Sequence, residues 1–277
     1  MQSERADLEG LVRTPYVQVL TYPRISLREA KSRVRQLRTL GVEELLFEGR
    51  TRVGRLGILG LGTVGVVVRA RAGGEMYALK IRRTDANRPD MEEESRITKM
   101  ANRVGVGPDV HSHTKDLILM KLLESQEIPE WLKGVGGRGA RAQVRAMVHA
   151  LLNQCRTLDL MGIDHGQLSN LRKHAVVAEG KPWIIDFESA GTERKPRNVT
   201  TAAQYLFVGG SVAPAMRRAL GVRETDSVKR LLGEYKQDLS DYAYSKILEH
   251  LKLEGTWSVT FASPSVRQPS GFKVPLG

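Results

Sequence analysis

The chain has 277 residues, 41% hydrophobic and 27% charged, which fits a soluble globular protein of one two-lobed domain or two small ones. Its 43 lysines and arginines against 31 acidic residues give a net charge of +12. That balance favours polyanionic partners such as nucleotides, RNA or acidic proteins, whereas 5% aromatic residues argue against a base-stacking RNA platform. A single cysteine excludes an internal disulfide framework; with no apolar run near the roughly 20 residues that span a bilayer and no apolar core in "MQSERADLEG", a cytoplasmic protein without membrane contact is expected.

"SLRE", Ser26 to Glu29, is a capping-box pattern,. Leu27, Ala30, Val34, Leu37 and Leu40 follow at helical spacing, and Gly41 is a natural C-cap,. The opposite face carries Arg28, Lys31, Arg35 and Arg38, a surface for RNA or an acidic protein, or simply a solvated face. From Glu44 to Arg83 the pattern turns strand-like: "ELLFEG", "RLGILG", "TVGVVVRARAGG" and "EMYALKIRR" are β-branched and apolar runs separated by glycines,. This stretch predicts an antiparallel meander, with Gly73 and Gly74 turning a hairpin.

"DMEEESRITKMANRVGVGP" predicts a helix with Ile97, Met100, Ala101 and Val104 on one face, ended by "GVGP",. "LILMKLL", Leu117 to Leu123, reads as a buried strand and "KGVGGRGARAQ" as a basic loop,. A long helix is expected over Arg141 to Leu160, burying Val144, Val148, Leu151, Cys155 and Leu158 on one face. "HAVVA" and "PWIID" read as two strands around an "EGKP" turn. Helices follow near "VTTAAQYLF", "VAPAMRRAL" and "SVKRLLGEY" and over Asp238 to Leu251, before a Ser-, Pro- and Gly-rich tail,. Strands and one helix first, then mostly helices, predict an α+β protein of two lobes with a cleft between them.

The sharpest motif is "GLGTVGVV", Gly60 to Val67. Its glycines suit a dinucleotide-binding turn, a phosphate-covering hairpin, or a plain hairpin. A dinucleotide fold requires a helix after the last glycine, but "VVVRARAGG" is β-branched and ends in a turn, which disfavours a helix. No GxxxxGK[ST] is present, so a P-loop NTPase is disfavoured too. Lys80 lies thirteen residues beyond Val67 on the next predicted strand, Glu92 to Glu94 open the following helix, and Asp186 ends an apolar strand ahead of Phe187. Between them "MGIDHGQLSNLRKH", Met161 to His174, is a polar loop between apolar segments.

Gly60, Gly62, Gly65, Lys80, Glu94, "VGVGPDV", "LILMKLL", "DHGQLSN" and "IIDFES" occur in kinase order. The ordered set, over about residues 52–207, resembles the small atypical kinases of the RIO and KEOPS-associated types, and most nearly a family of predicted archaeal serine/threonine protein kinases with a DHG-x-L loop. The resemblance implies a bilobal fold, with a small antiparallel-sheet N-lobe and a mainly helical C-lobe, and an ATP- and Mg²⁺-dependent serine/threonine phosphotransferase. On that scheme residues 1–50 are an N-terminal extension carrying the basic helix, 51–125 the N-lobe, 126–254 the C-lobe and 255–277 a flexible tail. Gly60, Gly62, Gly65, Val67 and Ala78 then surround ATP. Lys80 reaches its phosphates, held by Glu94 (with Glu93 the second choice), and Asp186 binds Mg²⁺.

Two departures from the family pattern stand out. Glu188 replaces the glycine of the Asp-Phe-Gly context, and Gln167 stands where the catalytic aspartate follows His-Gly. Glutamine takes no proton at neutral pH. Three readings follow. Asp164 is the base with Asn170 as second metal ligand, which is the preferred one; or Gln167 only positions the hydroxyl; or the chain binds nucleotide without transferring phosphate. His165 is a further candidate base, more often a structural residue in such a loop. Kinases acting on small molecules or RNA-linked partners share the architecture, so the acceptor is open.

Overall fold

The computed structural model describes residues 4–254; the tail expected over 255–277 lies outside them. The strands are β1 (Glu4–Asp7), β2 (Val42–Phe47), β3 (Thr51–Val53), β4 (Leu56–Ile58), β5 (Gly60–Leu61), β6 (Gly65–Ala72), β7 (Glu75–Arg82), β8 (Val110–His113), β9 (Leu117–Lys121), β10 (Gln126–Glu127), β11 (Ala175–Ala178) and β12 (Lys181–Ile184). The helices are α1 (Tyr16–Leu20), α2 (Leu27–Thr39), α3 (Glu92–Asn102), α4 (Ile128–Gly134), α5 (Ala140–Leu160), α6 (Leu171–His174), α7 (Asn198–Gln204), α8 (Ala213–Leu220), α9 (Thr225–Asp238) and α10 (Asp241–His250). The protein is thus α+β, with an antiparallel sheet built largely from the first half of the chain and helices dominating the second.

The main sheet runs β1-β2-β6-β7-β9-β8, with β5 added beside β6. Gly73 and Gly74 turn β6 into β7 with φ of 56° and 81°, the left-handed pair a two-residue hairpin loop needs. Side chains alternate across the sheet. Val66, Val68, Ala70, Leu79, Ile81, Leu117 and Leu119 face a core closed by Ala30, Val34 and Leu37 of α2. The opposite face carries Val67 paired with Lys80, and Ala78 paired with Met120. This second face looks toward the candidate site.

Two expectations change here. The stretch from Glu44 to Arg83 is not a simple meander: β2 pairs with β6 rather than with its successor, and β3 and β4 form a separate hairpin between them. Nor do residues 1–50 stand apart as an extension, because β1 and β2 are strands of the main sheet and α2 covers it. The cause is apolar burial. Leu45, Phe47, Leu20 and Leu37 complete a core that residues 51–125 cannot close alone,. β8 is an edge strand on β9. Its alternation is masked by the polar sequence "VHSH", which suits an edge.

The local signals around α2 hold. Ser26 Oγ accepts the Glu29 N–H at 3.3 Å, and Gly41 follows the helix with φ 71°, the C′ geometry glycine favours. Arg28, Lys31, Arg35 and Arg38 are exposed, while Leu27 lies outside the core. A second core gathers Val144, Val148, Leu151, Cys155 and Leu158 of α5 with α7, α9 and α10. Ile97 and Ala101 of α3 belong to this second core, so α3 ties it to the sheet. Among the described residues no helix is long and apolar enough to cross a membrane.

If α2 is part of the domain rather than an appendage, Leu37→Ala lowers the stability of the whole protein by about 2–5 kcal/mol. Urea unfolding followed by circular dichroism checks this. A small early transition leaving the main one unmoved would contradict it.

Candidate functional site

The glycine stretch is a hairpin. Gly60 pairs with Val67 and Leu61 with Val66. At its tip the Gly62 N–H donates to the Gly65 carbonyl at 2.8 Å. Arg83 pins the tip from beneath: its N–H donates to Val64 O at 2.7 Å and its Nη1 to Gly62 O at 3.0 Å. Gly65 is required by packing. A Cβ there would lie 2.9 Å from both Cγ and Cε of Lys80, so the absent side chain makes the channel through which Lys80 runs.

Lys80 is buried, and its Nζ donates to Glu94 Oε1 and to Asp186 Oδ1, each at 2.6 Å. Burial alone would lower its pKa, but the two carboxylates more than offset this and raise it,. Glu94 comes from the first turn of α3, where the helix dipole also favours an acid,. Its pKa is pushed up by burial, against the pull of Lys80. Glu93, the second choice, is bound to Arg96 on the surface instead. Burial would raise the Asp186 pKa as well, yet Lys80 outweighs it and holds that carboxyl below its ordinary range. Asp186 sits at φ 66°, a left-handed conformation that costs a non-glycine residue on the order of 1 kcal/mol or more.

Three residues the sequence reading did not assign complete the cluster. Glu188 has its side chain 6% exposed; its Oε2 lies 3.8 Å from Lys80 Nζ, and its Oε1 accepts from Thr63 in the glycine hairpin at 3.1 Å. Arg88 lies 3.3 Å from Glu94 Oε2 and donates to the Glu188 carbonyl at 2.7 Å. His174 places Nδ1 3.8 Å from Asp186 Oδ2. Glu188 had a visible signal, an acid two residues after the strand-end aspartate. His174 and Arg88 had none, since both lie in polar runs whose direction only the fold sets.

The loop from Met161 to His174 is anchored from behind. Asp159 accepts bonds from the Asn198 and Val199 N–H groups and from Tyr235, and Asn198 in turn accepts the His165 N–H at 2.9 Å. Asp164, the preferred base, is not brought to the Lys80 cluster. Its backbone bridges Gly191, and its buried carboxylate is taken by Arg194 Nε at 2.9 Å. Gly166 is fixed here at φ 82°, where a Cβ would meet Arg194 Nη2 and Ser189 O at 2.8 Å. His165 is structural: Nε2 can only donate to the Ile185 carbonyl 3.0 Å away,, and burial lowers its pKa to about 4. Gln167 is half-buried, and its Oε1 has no hydrogen-bond partner. Asn170 is exposed, its N–H donating to Gln167 O at 3.1 Å.

The residues fit a nucleotide phosphate and a divalent ion in one respect. Lys80 and Asp186 are adjacent, and a buried carboxylate oxygen, Glu188 Oε2, is left without a hydrogen-bond donor. Among the described residues no group of three or more His, Cys, Asp or Glu side chains is gathered to hold an ion unaided. A cation here would therefore draw further ligands from water or phosphate, as Mg²⁺ habitually does.

No family model matches the chain. It is 27% identical over 120 residues to the uncharacterized protein MJ1211 of Methanocaldococcus jannaschii, an alignment spanning 43% of this chain and 99% of that protein.

Two consequences can be measured. Gly65→Ala must displace Lys80 or the strand, so a loss of about 1–3 kcal/mol on urea unfolding is expected. His165 has a folded pKa of about 4 against 6.5, so it supports the fold above pH 6.5 and that support is lost as pH falls from 6.5 toward 4. His165→Gln should flatten this part of the stability-versus-pH curve, which in wild type amounts to on the order of 3 kcal/mol by pH 4.

Proposed function

We propose that the chain is an ATP- and Mg²⁺-dependent phosphotransferase of two-lobed, kinase-like arrangement, passing the γ-phosphate of ATP to a hydroxyl, with serine or threonine of a protein as the acceptor class. The observation that carries this reading is the buried Lys80 ammonium held by Glu94 and Asp186 beneath the Gly60 to Gly65 hairpin. Phosphoryl transfer asks the protein mainly for positioning and charge neutralisation, and a pre-oriented, fully charged lysine next to a free carboxylate oxygen supplies both. Val67 and Ala78, on the same sheet face as Lys80, would line the base side. Mg²⁺, when bound at Asp186, would neutralise charge on the phosphate oxygens.

With Asp164 occupied by Arg194, the proton-accepting role passes to no carboxylate in the loop. Gln167 Oε1 is buried and lacks a partner; in the second sequence reading it would accept a hydrogen bond from the acceptor hydroxyl and orient it, which requires the loop to open that oxygen to the substrate. A loose, metaphosphate-like transition state tolerates that arrangement, because the hydroxyl proton is not fully lost before the phosphoryl group moves. The Asp164–Arg194 pair also favours a second reading, a nucleotide-binding regulatory module without transfer. For either, the exposed Arg28, Lys31, Arg35 and Arg38 of α2 form the surface we assign to an RNA or acidic-protein contact.

Incubation with γ-labelled ATP and Mg²⁺ tests the proposal. Wild type is expected to transfer label to a protein hydroxyl; Lys80→Met and Asp186→Asn should lose at least about a hundredfold of the rate, and Gln167→Ala about tenfold or more. Equal labelling by wild type and both cluster variants would sink the reading. Tight ATP binding with no transfer to any acceptor would favour the regulatory module.

A further inference from the structure

Lys80 holds one oxygen of Glu94, and the other is held from outside the cluster by Arg88, in the polar run between β7 and α3. The Arg88 guanidinium forks. Its Nη1 donates to Glu94 Oε2 at 3.3 Å and its Nη2 to the Glu188 carbonyl at 2.7 Å. Arg88 thereby ties the first turn of α3 to the segment that follows Asp186. A planar fork fixes two acceptors at once, which an ammonium on a flexible stem does not do.

Arg88 is itself held. Its carbonyl accepts from Nη1 of Arg82, the last residue of β7, at 3.1 Å. Arg82 is clamped in turn by Asp116, in the connection from β8 to β9. Its backbone N–H donates to Asp116 O at 2.8 Å, its Nε to Asp116 Oδ1 at 2.8 Å, and its Nη2 lies 2.7 Å from the same oxygen. Asp116 Oδ2 accepts from Gln36 Nε2 of α2 at 2.7 Å, and the Asp116 N–H donates to Gln36 Oε1 at 2.9 Å. An unbroken polar chain thus runs from α2 through Asp116, Arg82 and Arg88 to Glu94 and the Glu188 backbone.

Charge fixes the members of this chain in place. Asp116 is buried and is shared by two arginines, Arg82 and the fully buried Arg33, whose Nη2 lies 3.9 Å from it. Buried charges with so few counter-charges cannot move without cost. Among the described residues Arg82 and Asp116 make no bond to Lys80, Glu94 or Asp186, so what they do for the site passes through Arg88.

We infer that Arg88 is a positioning residue of the candidate site, orienting Glu94 and the backbone after Asp186, and that Asp116 sets Arg88 through Arg82. The inference rests on the phosphotransferase reading only for what the site is used for; the coupling itself is a property of the folded chain. Contiguity amounts to coupling when the members depend on one another, and that dependence is measurable.

The first measurement is a double-mutant cycle on the full chain, Arg82→Met against Glu94→Gln, read by urea unfolding. Arg82→Met leaves Asp116 balanced by Arg33, whereas Asp116→Asn would strand two buried cations. Independent sites give additive effects; here a departure of about threefold or more in the unfolding constant is expected, with additivity restored when the cycle is repeated in an Arg88→Met chain. Additivity while Arg88 is in place, or coupling that survives its removal, overturns the inference. The second measurement is transfer from MgATP by Arg88→Ala and Arg88→Lys. Both are expected to lose about tenfold or more in kcat while KM for ATP moves less than about threefold, since misplacement of orienting groups acts on the reacting geometry. Full activity in Arg88→Lys, or a loss confined to KM, also overturns it. A coupled cycle in a chain that transfers no phosphate defeats the proposed function and leaves the positioning role standing. A chain that transfers phosphate with an additive cycle does the reverse.

Discussion

An ammonium group buried between carboxylates is the constraint around which the rest of the structure is arranged. Lys80 Nζ has 2.6 Å bonds to Glu94 and Asp186, so a strand, a helix and a post-strand loop, far apart in sequence, must all arrive within one bond length of it. Desolvating three such charges is costly, and removing one partner of a buried pair typically costs about 3–5 kcal/mol. The cluster is therefore a poor way to gain stability and a good way to fix geometry. Gly65 beneath the lysine stem and the left-handed backbone at Asp186 are local concessions to that geometry, of the kind that collect at functional sites.

The framework that meets this constraint has two apolar cores joined by α3. Its Ile97 and Ala101 pack among the helices, and its Glu94 reaches the sheet. The sheet is kept stiff on its far side by α2 and the first two strands. From behind, the Asp159–Asn198 network fixes the loop of residues 161–174, so that His174 sits at the cluster's margin while Asp164 is turned to Arg194. The N-terminal fifty residues thus serve the site by supporting the sheet that carries Lys80.

Much of this is legible in the sequence alone. The capping box at Ser26, the Gly73–Gly74 turn, the apolar face of α5 and the β11–β12 hairpin each follow from a local rule, and each forms. The sequence favours Glu94 over Glu93 as the partner of Lys80, and Glu94 is the glutamate that lies against it. The misreadings share one cause: they concern which distant segments touch. Strand pairing of β2 with β6, the β3–β4 hairpin between them, and the membership of β1 in the sheet depend on register across tens of residues, which periodicity does not encode,. The sequence favours Asp164 as base because it is the nearest acid to Gln167. Its neighbour in space, Arg194, lies thirty residues on.

By itself, the sequence determined the α+β class, the positions of most helices and turns, and the short list of residues from which the buried cluster around Lys80 is assembled. These depend on local backbone preference and on burial patterns with periods of two or 3.6 residues, both written into short windows. Only the tertiary structure decided which carboxylates converge on Lys80, that Glu188 and His174 join them, and that Asp164 does not. Such choices depend on the direction of individual side chains after long-range packing, where a rotation of one residue exchanges a partner in the site for one on the surface. In this protein that rotation separates Asp164, bound to Arg194, from Glu188, whose free oxygen lies beside the buried lysine.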